Sequence, residues 1–211
     1  MEINLNFRET VHTTKHRNIF AYEPLTKRQF ADELIANGTM LLLGKPFTID
    51  DTNRHIVNFM YRWFNNVDAD VNRNAGILIS GKIGAGKSIL MRAFLKIIEA
   101  HTNKIIYDAD CKNFNMRYID VIEETGDMEY FKFRPMYFDD LGREGASCKH
   151  YGTDISPVTD ILFQRYDTGA YTFATSNYSL ADLKLRYGNF IADRLGVMFN
   201  EFEMKNDSRR K

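Results

Sequence analysis

The segment Gly81-Lys82-Ile83-Gly84-Ala85-Gly86-Lys87-Ser88 fits the pattern G-x-x-x-x-G-K-[ST], and it narrows the folds open to this chain more than any other stretch. A phosphate-binding loop of this kind needs a buried strand before it and a helix after it. Gly76-Ile77-Leu78-Ile79-Ser80 is an apolar run of strand length, and Ile89 to Ile98 reads as helix. The glycines let backbone N–H groups turn inward around phosphate oxygens. The helix N-terminus adds the positive end of its dipole. Gly81, Lys82, Ile83, Gly84, Ala85, Gly86, Lys87, Ser88 and Ile89 are therefore the candidate nucleotide-binding residues. Lys87 is expected to reach the β- and γ-phosphates, and the Ser88 hydroxyl to ligate Mg²⁺.

From Gly76 onward, strand-like and helix-like segments alternate. Lys104–Asp108, Pro135–Asp140, Ala170–Thr175 and Val197–Glu203 read as further strands. Residues 111–125, 155–168 and roughly 179–195 read as helices between them. Such alternation implies a five-stranded, mostly parallel sheet flanked by helices, with ligands at the carboxyl ends of the strands. Before it, Thr26 caps a helix that Asn37-Gly38 is expected to stop. Asp50-Asp51 is expected to cap a second helix running through Phe64. The apolar residues Ile56, Val57, Phe59, Met60, Trp63 and Phe64 recur there at helical spacing, as on a face packed against the nucleotide domain.

Met136-Tyr137-Phe138-Asp139-Asp140 is an apolar strand ending in two acids, about fifty residues after the loop. A carboxylate at that place meets the Mg²⁺ held by Ser88, which assigns Asp139 to the metal and Asp140 to the attacking water. Asn177 follows the fourth strand. It either contacts the γ-phosphate or the water, or caps the next helix. Arg194 reads either as a surface ion pair or as an arginine that stabilises transition-state charge from a neighbouring subunit. Lys112, Phe114, Arg117 and Tyr118 interleave basic and aromatic residues, as single-strand binders do, but Phe114 and Tyr118 are four apart and equally make a core face.

Composition removes several classes. Lys plus Arg and Asp plus Glu both total 28, so nucleic-acid binding has to use a local patch rather than global charge. Cys111 and Cys148 have no metal-like spacing and suit reduced thiols in a cytoplasmic protein. No secretory leader and no membrane span are expected.

Together these residues resemble the AAA+ ATPases of the DnaC/IstB type, the bacterial helicase loaders and transposition ATPases, from about Asp50 to the end. The phosphate loop is widely shared. More specific are Tyr137-Phe138-Asp139-Asp140-Leu141-Gly142-Arg143-Glu144, similar to that family's Walker B, and Leu162-Phe163-Gln164-Arg165-Tyr166 leading to Thr175-Ser176-Asn177, similar to its sensor 1. Asp193-Arg194-Leu195 is similar to its arginine-finger segment, and Asp207-Ser208-Arg209-Arg210 to its closing sensor 2, with Arg210 on the arginine position. The family's Ser-Tyr-Arg reads Ser208-Arg209-Arg210 here.

The resemblance implies an α/β P-loop NTPase of AAA+ type over residues 49–211. A short helical extension, residues 1–48, would serve partner binding, and no separate lid domain is expected. It further implies ATP and Mg²⁺ as cofactors and ATP hydrolysis by Lys87, Asp140, Asn177 and Arg194. It implies a head-to-tail homo-oligomer, single-stranded DNA, and a replicative helicase or other DNA-processing protein as partner. Two other functions fit the same loop. One is a small-molecule kinase of nucleoside type. The other is an ATP-gated adaptor that hydrolyses little, since Asp140 is shorter than the usual glutamate.

Overall fold

The computed structural model describes residues 24–67, 71–102 and 104–209. The chain begins with two helices, α1 (Lys27–Leu41) and α2 (Arg54–Asn65). Strand β1 (Gly76–Gly81) then leads into α3 (Lys87–His101), and β2 (Tyr107–Asp110) into α4 (Cys111–Thr125). A short α5 (Glu129–Lys132) precedes β3 (Met136–Asp139). A hairpin, β4 (Cys148–His150) with β5 (Thr153–Ile155), comes before α6 (Pro157–Thr168) and β6 (Thr172–Ser176). The chain closes with α7 (Leu180–Tyr187), α8 (Asn189–Met198) and β7 (Phe199–Met204).

Five strands form one sheet in the order β2-β3-β6-β1-β7, and every neighbouring pair is parallel. β1 lies between β6 and β7 and is buried on both faces, which is why it reads as an unbroken apolar run. Strand alternation sorts residues into two cores. Ile77, Ile79, Tyr137 and Phe173 face α1, α2 and α3, whereas Leu78, Met136, Phe138 and Ala174 face α4, α6, α7 and α8. Trp63 anchors the first core edge-on to Phe94, Tyr171 and Phe173, and its indole N–H bonds the Ala75 carbonyl at 2.9 Å. The aromatic spacing of α2 therefore marks a core face. Arg165 of α6 is wholly buried and donates to the carbonyls of Phe131, Arg134 and Tyr171 and to the Thr172 hydroxyl. It ties α6 to the starts of β3 and β6. Burial pulls its pKa down to about 9, which leaves it charged near neutrality.

Three local expectations are corrected, and one hairpin is added that the sequence reading did not include. Helix α1 keeps the predicted Thr26 capping box but runs through Asn37-Gly38 to Leu41. Gly38 is a contact rather than a stop, because a Cβ there would lie 2.4 Å from the Phe47 ring. Helix α2 starts at Arg54, and Asp50 instead accepts from the Thr52 N–H and hydroxyl. Ladder pairing of the second strand begins at Tyr107 opposite Met136. The preceding Ile106 N–H is taken by the Glu99 carboxylate at 2.8 Å, and Ile105 is exposed. Finally, the β4–β5 hairpin turns through Tyr151 and Gly152, both with positive φ, as a tight two-residue turn requires.

Candidate nucleotide site

The phosphate loop leaves the carboxyl end of β1, and the ends of β3 and β6 stand beside it in the sheet. The first α3 residue follows Gly86, whose φ of 102° lies in the left-handed region that favours glycine. A cleft of about 1470 Å³ opens along the loop. Leu42, Phe47 and Thr48, from the α1–α2 connection, form its more apolar wall, and Ile83 and Ile89 also line it. Apolar lining beside a phosphate-binding loop suits a flat base attached to phosphates.

Lys87 is buried, with its ammonium folded onto the loop. Nζ donates to the carbonyls of Gly81 and Lys82 and to Asn177 Oδ1, each at 2.9 Å. Asn177 Nδ2 in turn points to Asp140 Oδ1 at 3.5 Å. The charges at either end orient the amide, with oxygen toward the ammonium and nitrogen toward the carboxylate. Asn177 thus links the loop lysine to the second acid of β3. It does not cap α7, since Ser179 takes that place with a capping box to Asp182.

Asp139 is the most heavily bonded group in the cleft. Its Oδ1 accepts from the hydroxyls of Tyr137 at 2.6 Å, Ser88 at 2.7 Å and Thr175 at 2.7 Å. Its Oδ2 pairs with Arg92 Nη2 at 2.9 Å. Burial alone would raise the carboxyl, but the hydroxyls of Tyr137, Ser88 and Thr175 together with Arg92 outweigh it and hold it below the usual carboxylate range. Burial likewise works against the Arg92 charge. The bonds to Asp108 and the nearby Asp139 carboxylate override it and push that pKa up. Tyr137 is raised, chiefly by burial and then by the Asp139 charge, and so stays a donor.

Asp140 sits at φ 58°, a left-handed position uncommon outside glycine. Its N–H donates to Thr175 Oγ1 at 3.2 Å, and its carboxylate pairs with Arg143 at 3.1 Å. The Leu141 N–H to Thr175 carbonyl bond and the Ser176 hydroxyl to Leu141 carbonyl bond, at 2.7 and 2.6 Å, join the ends of β3 and β6. The two acids are thereby fixed relative to Asn177.

After β7 the chain returns along the loop. Asn206 Nδ2 donates to the Ala85 carbonyl at 3.1 Å, Lys82 pairs with Asp207 at 2.7 Å, and the Arg209 N–H donates to the Gly84 carbonyl at 2.9 Å. The Arg209 guanidinium lines the cleft and pairs with Asp50 at 2.8 Å. Arg210, the sensor 2 candidate, lies outside the described residues. Arg194 is brought to none of these groups. It stacks over Phe163 and Tyr166 of α6 at 4.2 and 5.2 Å, away from the cleft of its own chain. Phe114 and Tyr118 are buried in the second core, so of the two readings open for these aromatics the core face holds. Lys112 and Arg117 remain exposed on α4.

Lys87, Ser88, Asp139, Asp140 and Asn177 thus converge on one cleft. Sequence reasoning passed over Arg92 and gave no individual role to Tyr137, Thr175, Arg143 and Arg209, which it named only as parts of longer segments. Two of them carried a signal. Arg92 follows Ser88 by one helical turn, and Tyr137 alternates with Asp139 on the same strand face. An oxygen-only set of one hydroxyl and one carboxylate, Ser88 and Asp139, fits Mg²⁺, which keeps several waters and takes few protein oxygens.

No protein-family model matches the sequence, and no curated protein matches it. Solved structures do. A crystal structure of the DnaC helicase loader is 24% identical with a TM-score of 0.57, over 75% of this chain and 93% of that one. A primosome component from Streptococcus pyogenes serotype M3 is 21% identical with a TM-score of 0.56, over 76% and 84%. AMPPCP-bound DnaA from Aquifex aeolicus is 15% identical with a TM-score of 0.57, over 76% of this chain and 49% of that one. The fold is therefore that of the AAA+ P-loop domain found in DnaC and DnaA.

Proposed function

From this AAA+ fold and its cleft, we propose that the chain binds and hydrolyses ATP with Mg²⁺ and works as a loader or remodelling factor on a DNA-processing machine. The observation that carries the reading is the bonded chain from Lys87 through Asn177 to Asp140, beside the Ser88–Asp139 pair. Lys87 would exchange a loop carbonyl for a β- or γ-phosphate oxygen. Ser88 and Asp139 would hold Mg²⁺, which when bound offsets phosphate charge. Asp140 would orient the attacking water and accept its proton as the bond from the γ-phosphorus to the bridging oxygen breaks. Asn177 would position that water against the γ-phosphate. Arg194 would act on the nucleotide of the next subunit, which agrees with its place outside its own cleft.

In this reading ATP closes a head-to-tail interface and hydrolysis releases it. A ligand shifts an assembly only through its different affinity for the two states. The DnaC and primosome likenesses favour a replicative helicase or related DNA-processing protein as partner, in the cytoplasm. Among the described residues no helix is long and apolar enough to cross a membrane. Residues 1–48 are the proposed partner-binding extension, with Leu43 almost fully exposed after α1. Single-stranded DNA, if bound, would meet Lys112 and Arg117 through its phosphates.

Binding of a fluorescent ATP analogue and release of phosphate test the chemistry together. Lys87→Ala should weaken binding at least about tenfold, the loss of one charged hydrogen bond. Asp140→Asn should keep binding and lower turnover by about a hundredfold. Unchanged binding in Lys87→Ala would overturn the site assignment. One observation favours a second reading, an ATP-gated adaptor, because Arg143 already pairs with the Asp140 carboxylate. Asp140→Asn with no effect on turnover would move the account to that reading.

A further inference from the structure

We infer that Arg92 holds down the cation affinity of the nucleotide site, so that a divalent ion enters only together with nucleotide. The nucleotide half of this inference rests on the ATP reading above; the cation half does not. Arg92 lies one turn after Ser88 on α3 and reaches the same carboxylate from the other side. Its Nη2 touches Asp139 Oδ2 at 2.9 Å and also Asp108 Oδ1 at 3.2 Å, while Nε meets Asp108 Oδ2 at 2.7 Å. The guanidinium carbon lies 5.5 Å from the centre of the Tyr137 ring. Asp108 pairs in register with Tyr137, and Asp139 alternates with Tyr137, so both acids lie on one face of β2 and β3.

Two carboxylates within reach of one guanidinium, one of them bonded to a serine hydroxyl, make an oxygen-only set that would attract a divalent cation unaided. A permanently charged guanidinium between them offsets one of the two charges and weakens that attraction, since arginine does not lose its proton in proteins. Every oxygen of Asp139 is then engaged, Oδ1 by three hydroxyls and Oδ2 by Arg92. The negative charge needed to recruit the ion has to arrive with the phosphates. Arg92 is on this account a positioning residue that acts through Asp139.

The test measures Mn²⁺ binding to the full chain without nucleotide, by the loss of the free-ion electron paramagnetic resonance signal. Arg92→Met removes the charge at similar length and should bind Mn²⁺ at least about tenfold more tightly than wild type. Arg92→Lys, which keeps the charge, should stay within about threefold of wild type. The double variant Arg92→Met, Asp108→Asn should return toward wild type, because the second carboxylate is gone. In the nucleotide arm, the Mg²⁺ concentration that half-saturates binding of a fluorescent ATP analogue should fall in Arg92→Met by a similar factor.

Equal Mn²⁺ affinity in wild type and folded Arg92→Met would overturn the inference and leave Arg92 as a clamp between α3 and β2. If Arg92→Met does not fold, Asp108→Asn alone decides. It leaves Arg92 to Asp139 and should raise the half-saturating Mg²⁺ concentration, and no change would count against the proposal. Failure of wild type to bind the analogue at any Mg²⁺ concentration would remove the ATP reading, and the Mn²⁺ comparison would still decide the role of Arg92.

Discussion

At Asp139, three hydroxyls and a guanidinium stabilise one charge, and the consequence is measurable as pH dependence. The folded carboxyl ionises below its ordinary 3.8, so on acidification the unfolded chain takes up this proton first. The stability owed to the charged form is complete above about pH 5 and is lost as pH falls through the folded value. Asp139→Asn should therefore cost about 1–3 kcal/mol at pH 7. In urea unfolding that difference should shrink between about pH 5 and pH 3. A cost independent of pH would contradict the assignment. At this scale the loop residues and both acids were legible, because their chemistry sits in a contiguous pattern. Thr175 and Arg209 were not. Thr175 matters only because β6 pairs with β3, and Arg209 because the chain returns along the loop after β7.

Secondary-structure elements were legible where burial imposes a period, as in α2 and α3, or an unbroken apolar run, as in β1, and were misjudged where one tertiary contact overrides a local signal. Gly38 is the clearest case. Asn-Gly normally ends a helix, but here Phe47 packs onto the glycine and α1 continues for another three residues. Gly38→Ala then sets two effects against each other. Helix propensity favours alanine by about 1 kcal/mol. The Phe47 ring would lie 2.4 Å from the new Cβ, and such overpacking costs about 1–3 kcal/mol. The thermal midpoint should fall, and a rise would show that Phe47 moves aside freely. The β4–β5 hairpin escaped notice for a different reason. It has three residues per strand, little buried apolar surface, and a Tyr-Gly turn in place of the commoner Asn-Gly.

Across the whole molecule, the nucleotide cleft and Arg194 are separate features of one chain, and the proposed function needs them joined between chains. Ile83 is exposed at the loop, and Val197 is exposed one turn after Arg194. A head-to-tail contact would bring two such surfaces together. Assembly of this kind was suggested by the resemblance of the Asp193-Arg194-Leu195 segment and not by any spacing, since a site shared between subunits leaves no pattern within one of them. The fold itself was legible from the alternation of strands and helices after Gly76. The measurement that tests the central claim most directly is size-exclusion light scattering of wild type and Arg194→Ala, each with and without ATP·Mg²⁺. The account predicts an ATP-dependent rise in mass for wild type that Arg194→Ala loses. A monomer under every condition would contradict it.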